Sequence, residues 1–271
     1  MNDLVLAPTT LPDAAPLDYV EAAAAAGYRH VGLRLNRSPG LPFQPVLGNA
    51  SLIRELKASL AGAGLAVFDI YSFYLEPQTD VTAFTPAIEL GAELGAKYLA
   101  TMGADPDWSR QRDNFARICE IAARCGLVCT VEPAVIRPLA SFAQAQRLLQ
   151  EAGRPNVAIC VDPMNFARAG DRAAQLRAAD PKLFPYAQIC DGFIAPDEPD
   201  PALLGRMSPN RRCLLGEGNV PLADILDALP HGLPLSIELP PPGDRAIAAA
   251  EWARLVREDA RNFLALSLIH I

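Results

Sequence analysis

Four oxygen-bearing side chains stand at or near the ends of four apolar segments in the second half of the chain. They are Glu132, Asp162, Gln188 and Glu238. Three carboxylates and one amide oxygen are hard ligands, which suit Mn²⁺ or Mg²⁺. The chain has only 3 histidines, so a histidine-rich zinc site is excluded. Carboxylates that converge would raise one another's pKa, and a bound cation removes that cost. The pattern therefore predicts a divalent metal site.

A divalent ion held in this way could bind the carbonyl and the adjacent hydroxyl of a sugar and stabilise the enediolate that forms when the α-proton leaves. Glu132 and Glu238 would flank the ion on opposite sides. One glutamate could take the proton while the other returns it to the neighbouring carbon or to the opposite face, provided that one of them is protonated. This chemistry is aldose–ketose isomerisation or C3 epimerisation.

Each of the four side chains needs a strand to position it. Residues 127–131 form an apolar, β-branched run typical of a buried parallel strand, and the run ends in Glu132 and Pro133. The segments 157–161, 186–190 and 235–237 repeat this pattern. In a parallel α/β barrel the carboxyl ends of all strands face one opening, so the four side chains are expected to converge there.

Strand and helix patterns alternate along the whole chain, which predicts a single (β/α)8 TIM barrel over residues 1–265. An open doubly wound sheet would need a glycine-rich phosphate turn after the first strand, and residues 6–10 do not supply one. The predicted strands are 4–7, 30–35, 65–71, 97–102, 127–131, 157–161, 186–190 and 235–237. The predicted helices are 17–26, 51–63 with Ser51 as cap, 85–94, 107–124, 141–152, 172–179, 221–229 and 244–264, and a long polar loop spans 192–218.

Composition narrows the function classes. The 271 residues carry 24 basic against 31 acidic side chains, a net charge of −7, which argues against nucleic acid or an anionic membrane as the main partner. We expect no secretory signal and no apolar run of about 18 residues, hence a soluble cytoplasmic protein. The six cysteines are expected to be reduced core thiols. The apolar hexamer 266–271 follows a finished helix and is interpreted as a non-native or truncated tail.

Several segments together resemble the sugar phosphate isomerase/epimerase superfamily with the xylose-isomerase-like barrel, which includes hydroxypyruvate isomerase and ketose 3-epimerases. The matching segments are 131–133, 152–156 leading to 161–162, 188–191, 212–218 and 236–238. The resemblance implies that Glu132, Asp162, Gln188 and Glu238 are metal ligands and that the two glutamates are the acid/base pair. It also implies a small sugar or hydroxy-acid substrate and possible homo-oligomers.

The expected substrate-binding residues are Asn165, Arg212 and Arg34. Asn165 stands where the family usually places a histidine, and it can donate a hydrogen bond but cannot carry a proton. Arg212, in the loop after the seventh strand, suits a substrate anion. Arg34 follows the second strand and could bind an anion or pair with a neighbouring acid.

Two other functions remain open. A dehydratase similar to 3-dehydroshikimate dehydratase would use the same proton abstraction and then expel a β-hydroxyl. A non-catalytic sugar-binding barrel is the second alternative, and Asn165 is the residue that suggests it. DNA cleavage of the endonuclease IV type is disfavoured because the chain lacks the histidine-rich metal set and a basic groove.

Overall fold

The computed structural model describes residues 2–194, 211–243 and 247–267. Eight parallel strands form one curled sheet surrounded by helices, which confirms the predicted TIM barrel. The barrel strands are β1 (Leu4–Leu6), β2 (His30–Arg34), β3 (Ala66–Leu75), β4 (Tyr98–Gly103), β5 (Val128–Val131), β6 (Val157–Ile159), β7 (Ala187–Ile189) and β10 (Leu235–Ile237). A short antiparallel pair, β8 (Asp191–Gly192) and β9 (Arg212–Cys213), lies after β7.

The sheet runs in the order β6-β5-β4-β3-β2-β1-β10-β7. Its two outer strands, β6 and β7, meet through one parallel bridge between Val161 and Ala187. There the backbone N–H of Gln188 donates to the carbonyl of Val161 at 2.9 Å. The barrel is therefore closed at the two positions that precede Asp162 and Gln188.

The helices are α1 (Pro16–Ala25), α2 (Ala50–Ala63), α3 (Thr85–Glu93), α4 (Trp108–Arg124), α5 (Phe142–Ala152), α6 (Pro163–Arg168), α7 (Ala173–Ala178), α8 (Leu222–Asp227) and α9 (Ala249–Ser267). A capping box of Ser141 and Gln144 begins α5. None of the described helices is both long enough and apolar enough to cross a membrane.

Most of the core lies between the sheet and the helices, where aliphatic side chains of both layers are buried. A smaller cluster fills the inside of the barrel and contains Val5, Phe68, Cys160 and Tyr186. All six cysteines are free, and five of them are buried, as expected for core thiols.

The structure corrects several boundaries. The cap of α2 is Asn49, whose side chain accepts from the N–H of Leu52 at 3.1 Å, while Ser51 bonds to Glu55 instead. Strand β3 continues to Leu75. Helix α6 lies where the sequence pattern predicts no helix, and its cap is Asp162, one of the predicted metal ligands.

Three predicted segments lie partly outside the described residues. The loop predicted over 192–218 is described at 192–194 and from 211 onwards, and the last helix is described from Ala249. Helix α9 continues to Ser267, so the prediction that the helix ends before residue 266 is wrong, and the first two residues of the proposed tail belong to α9. Residues 268–271 of the proposed tail lie outside the described residues, so their non-native origin remains a prediction.

Candidate metal centre

The structure brings the four predicted ligands together at the carboxyl ends of adjacent strands. Glu132 follows β5, Asp162 follows β6, Gln188 is in β7, and Glu238 follows β10. One carboxylate oxygen from each of Glu132, Asp162 and Glu238 lies within 4.8 Å of the other two. The amide nitrogen of Gln188 donates to Glu132 Oε2 at 3.2 Å. All four side chains are buried, so the cluster is held away from bulk water.

Local structure fixes each carboxylate. The N–H of Glu132 bonds to the carbonyl of Thr101 at 3.1 Å, and the N–H of Glu238 bonds to the carbonyl of Ile189 at 3.2 Å, which continues the barrel ladder. Asp162 caps α6, because its Oδ1 accepts from the N–H of Asn165 at 2.7 Å. The other oxygen, Oδ2, accepts from Arg212 Nη2 at 2.8 Å and from Cys190 Sγ at 3.5 Å.

Two of the three predicted substrate residues contact the cluster directly. Asn165 Nδ2 donates to Glu132 Oε1 at 2.9 Å. Arg212 is 6% exposed and its Nη2 lies 2.8 Å from Asp162 Oδ2 and 3.8 Å from Glu238 Oε1. The same guanidinium donates from Nη1 to the backbone carbonyl of Glu238 at 3.3 Å. Arg212 therefore lies inside the site and not on its rim.

Arg34 is placed differently. Its Nη2 donates to the carbonyl of Pro12 at 2.7 Å, so it ties the end of β2 to the loop after β1. Burial lowers the pKa of this half-buried arginine, while Asp13 opposes the effect. Its Nη1 is buried and has no hydrogen-bond partner among the described residues. No hydrogen bond or ion pair joins it to the cluster within the part of the chain that the structure describes.

The electrostatics of the cluster favour a cation. Burial raises the pKa of Glu132 well above its usual range, and Glu238 and Asp162 raise it further, while Arg212 opposes them. Burial also raises the pKa of Glu238, again with Arg212 opposing. One positively charged guanidinium faces three carboxyl groups, so the positive charge of Arg212 does not balance the negative charge that the three groups can carry. A divalent ion would supply the missing positive charge.

The donor atoms also fit such an ion. Gln188 Oε1 and Glu238 Oε2 are buried without a hydrogen-bond partner among the described residues. A buried oxygen without a partner is costly, and a metal ligand is one way to satisfy it. The set contains only oxygen donors, which matches the preferences of Mg²⁺ and Mn²⁺. The role of these residues as ligands remains a prediction.

Sequence reasoning missed a buried acid inside the barrel. Asp69 is 2% exposed, and its Oδ2 lies 3.4 Å from the hydroxyl of Tyr186, which also contacts Thr130 Oγ1 at 3.1 Å. Burial raises the pKa of Asp69 to about 7, the Tyr186 bond opposes this, and Glu238 adds to it. The signal in the sequence is a charged residue in the middle of an apolar strand. In the structure Gly32 leaves room for Asp69, because a side chain there would collide with it.

Asp191 has a structural role. Its carboxylate accepts from the backbone N–H groups of Gly192 at 2.7 Å, Gly216 at 2.8 Å and Gly218 at 3.2 Å. It therefore joins β8 to the turn that follows β9. Strand β9 contains Arg212, so the bonds of Asp191 hold the turn directly after the strand that positions this arginine in the site.

Solved structures with the same fold come from several enzymes and related proteins. The IolI protein with a bound zinc atom superposes with a TM-score of 0.80 at 19% identity, covering 98% of this chain and 99% of that one. A fusion of a xylose isomerase-like TIM barrel with 4-hydroxyphenylpyruvate dioxygenase gives 0.78 at 20% identity; the match covers 99% of this chain but 43% of the fusion. At these identities the likeness shows the fold.

Two further structures carry more specific names. The D-allulose 3-epimerase from Methylomonas sp., in complex with D-allulose, has a TM-score of 0.71 at 17% identity, with 98% of this chain and 97% of that one covered. The probable 3-DHS dehydratase AsbF from Bacillus anthracis also has a TM-score of 0.71, at 16% identity, with 97% and 99% covered. A search of curated proteins found no match.

The family model named xylose isomerase-like TIM barrel matches residues 20–256, which is most of the chain and includes all four predicted ligands. This match and the closed parallel barrel agree. The chain belongs to the xylose isomerase-like TIM barrel family.

Proposed function

We propose that the protein is a divalent-metal-dependent isomerase or epimerase of a small keto-sugar, sugar phosphate or hydroxy-carbonyl acid. The observation that carries the proposal is the buried cluster in which Glu132, Asp162 and Glu238 offer oxygens within 4.8 Å of one another. Such a cluster is costly without a cation, and its two glutamates come from well separated strands, β5 and β10. Mn²⁺ and Mg²⁺ are the ions that the oxygen donors favour.

The ion, when bound, would polarise the substrate carbonyl and so make the neighbouring C–H group more acidic. The chain's own residues then handle the proton. Glu132 is held by hydrogen bonds from Asn165 and Gln188 on its two oxygens, which fixes its direction. Glu238 keeps one oxygen, Oε2, without a hydrogen bond among the described residues. One glutamate removes the proton, and the other delivers a proton to the adjacent carbon or to the opposite face.

Arg212 has two tasks in this proposal. In the structure it balances part of the negative charge on Asp162 and Glu238. Beside both carboxylates it would also offer a fixed cation to a bound substrate, for pairing with a hydroxyl or an anionic group. Asn165 orients Glu132, and its amide donor is the part of its side chain that the role requires.

A dehydratase is the second candidate, because AsbF shares the fold over almost the whole chain. It would use the same proton abstraction and then expel a β-hydroxyl. The cytoplasmic location and a homo-oligomeric state remain predictions.

Metal binding is tested first. The protein is treated with EDTA, and Mn²⁺, Mg²⁺ or Zn²⁺ is titrated by calorimetry and by thermal unfolding. At an ion concentration of 100 times Kd, binding adds about 2.7 kcal/mol of stability. Glu132→Gln and Glu238→Gln should each lose this gain. Glu258→Gln is the matched control, because Glu258 is exposed on α9 and pairs with Arg254. If wild-type protein binds none of the three ions, the metal-dependent proposal is wrong.

Proton transfer is tested separately by incubating the metal-loaded protein with keto-sugars and hydroxy-carbonyl acids in D2O. Deuterium entering at the carbon beside the carbonyl, followed by NMR, reports abstraction whatever the product. Either glutamine variant should slow this exchange by at least about a hundredfold. A conjugated enone absorbance with a given substrate would identify the dehydratase. If the ion binds but no substrate exchanges, the barrel is a binding protein and the enzyme proposal is wrong.

A further inference from the structure

A cleft of about 630 Å³ lies at the amino-terminal end of the barrel, opposite the candidate metal centre. Leu4 and His30, the first residues of β1 and β2, line its floor, and the second half of α9 forms one wall. A volume of this size matches the clefts that bind small molecules. The cleft shares no residue with the four predicted ligands.

Three arginines line this cleft, in a protein whose net charge is −7. They are Arg29, Arg257 and Arg261, and Asp3 is the one acidic residue in the lining. Within the described part of the chain, none of the three guanidinium groups lies within 4.0 Å of a carboxylate oxygen. The neighbouring Glu258 is paired with Arg254, at 3.1 and 3.2 Å. Glu258 therefore offsets the positive charge of the cleft only in part, through its effect on Arg257.

Arg257 is held in a defined place. Its guanidinium carbon lies 5.6 Å from the centre of the Tyr28 ring, and the hydroxyl of Tyr28 is fixed to the carbonyl of Ala253 at 3.2 Å. A methyl group at Gly27 would lie 3.4 Å from Arg257 Nη1, an ordinary contact distance, so the guanidinium packs close to this turn. Gly27 has a φ of 77°, and this backbone conformation favours glycine there.

The arrangement has an energetic cost in the absence of an anion. Burial lowers the pKa of Arg257, and the nearby Arg261 and Arg29 lower it further, while Tyr28 and Glu258 oppose them without reversing the shift. Arg257 and Arg261 are four residues apart on α9, a spacing at which like charges repel. Leu4, Leu264 and Ala265 add apolar surface beside the three cations. A ligand with a doubly charged oxyanion and a small apolar body complements both features.

We infer that this cleft is a binding site for a small phosphate monoester, held by Arg29, Arg257 and Arg261. The guanidinium groups present forked N–H donors that match phosphate oxygens, and the apolar residues contact the organic part. The site is separate from the proposed catalytic centre and does not depend on it. A ligand here would contact the turn after α1, helix α9 and the first two strands, so it would tie together the two ends of the described chain.

The test uses phenyl phosphate as the probe, titrated by calorimetry into the full-length, EDTA-treated protein at constant ionic strength. We expect binding with a Kd below about 1 mM. Benzoate, which has one charge on a similar ring, should bind at least about tenfold more weakly. Arg257→Gln/Arg261→Gln should also lose at least about tenfold in affinity. The single variant Arg261→Gln changes an exposed residue and serves if the double variant does not fold.

Two controls separate the cleft from other sites. Arg254→Gln changes an arginine of the same helix that is already paired, and its affinity should equal that of wild type. Glu132→Gln should also retain full binding, because it alters only the candidate metal centre. The inference is wrong if wild-type protein shows no binding at 10 times the expected Kd, or if the double variant binds as tightly as wild type. Loss of binding in Glu132→Gln would place the phosphate at the metal centre and also refute it.

Discussion

Replacing Asp69 with asparagine should stabilise the protein, and the gain should grow with pH. Asp69 is buried inside the barrel with one weak hydrogen bond, from Tyr186 at 3.4 Å, while its Oδ1 has no partner among the described residues. Burial is the main reason that its pKa is raised from 3.8 to about 7. At a pH above both values this difference corresponds to a cost of about 4 kcal/mol for the folded protein.

The sign follows from proton binding. Between pH 4 and 7 the folded protein keeps the proton on Asp69, while the unfolded chain has released it. The folded state therefore binds more protons, and its stability falls as the pH rises through this window. Asparagine has the same shape and no charge, so the variant does not pay this cost. The free energy of unfolding of Asp69→Asn, minus that of wild type, should increase by about 2.5 kcal/mol from pH 5 to pH 8.5.

The assay is urea unfolding followed by circular dichroism at four pH values, with EDTA present throughout. Subtracting the wild-type curve cancels the titration of groups that both proteins share. Asp113→Asn is the control, because Asp113 is exposed on α4 and pairs with Arg112; its difference from wild type should stay within about 0.5 kcal/mol at every pH. A difference for Asp69→Asn that does not change with pH would show that the carboxyl is solvated in the folded protein, and the reasoning from burial would fail.

Three further changes test other parts of the structure. Asn165→Ala removes the donor to Glu132 at 2.9 Å, and deuterium exchange into substrate should slow by about tenfold or more while circular dichroism is unchanged; an unchanged rate would show that the bond does not orient Glu132. Ser141→Ala breaks the capping box of α5 and should lower the free energy of unfolding by about 1 kcal/mol in urea, whereas no loss would mean that the cap is replaced. Gly32→Ala would place a methyl group 2.3 Å from Asp69 Oδ1 and should destabilise by about 2 kcal/mol in thermal unfolding; a neutral effect would mean that Asp69 moves freely.

The sequence predicted the barrel and the convergence of four side chains because both depend on local patterns. Glu132 and Glu238 each follow an apolar strand. Once the strands are parallel neighbours in a barrel, their carboxyl ends face the same opening, so both side chains must lie there. Asp69 could not be found in this way, since it depends on which face of β3 points inside the barrel. The register between β2 and β3 shifts beside Gly32, and this shift determines which face Asp69 occupies. A register shift between two strands cannot be read from the local pattern of either strand.

Arg212 and α6 show two other limits. The approach of Arg212 to Asp162 joins residues far apart in the chain, and part of the intervening loop, 195–210, lies outside the described residues. An arginine in this loop predicts an anionic partner. In the structure that partner is the carboxylate of Asp162. Helix α6 is only six residues long, too short for a periodic pattern to appear. The sequence pattern predicts Asp162 as a metal ligand. In the structure its Oδ1 caps α6 and its Oδ2 accepts a hydrogen bond from Arg212.

The bridge that closes the barrel has a consequence for its motion. Val161 and Ala187 form the one bridge between β6 and β7 in the described chain. These two strands are therefore the most weakly paired neighbours of the barrel. Asp162 and Gln188 are the next residues on either side of this bridge. An ion bound to both residues would link β6 to β7, and the barrel could open between these strands only after the ion had dissociated. Ion binding should then suppress the local opening of the barrel between β6 and β7. This would be measured as slower hydrogen exchange at the backbone amide of Gln188.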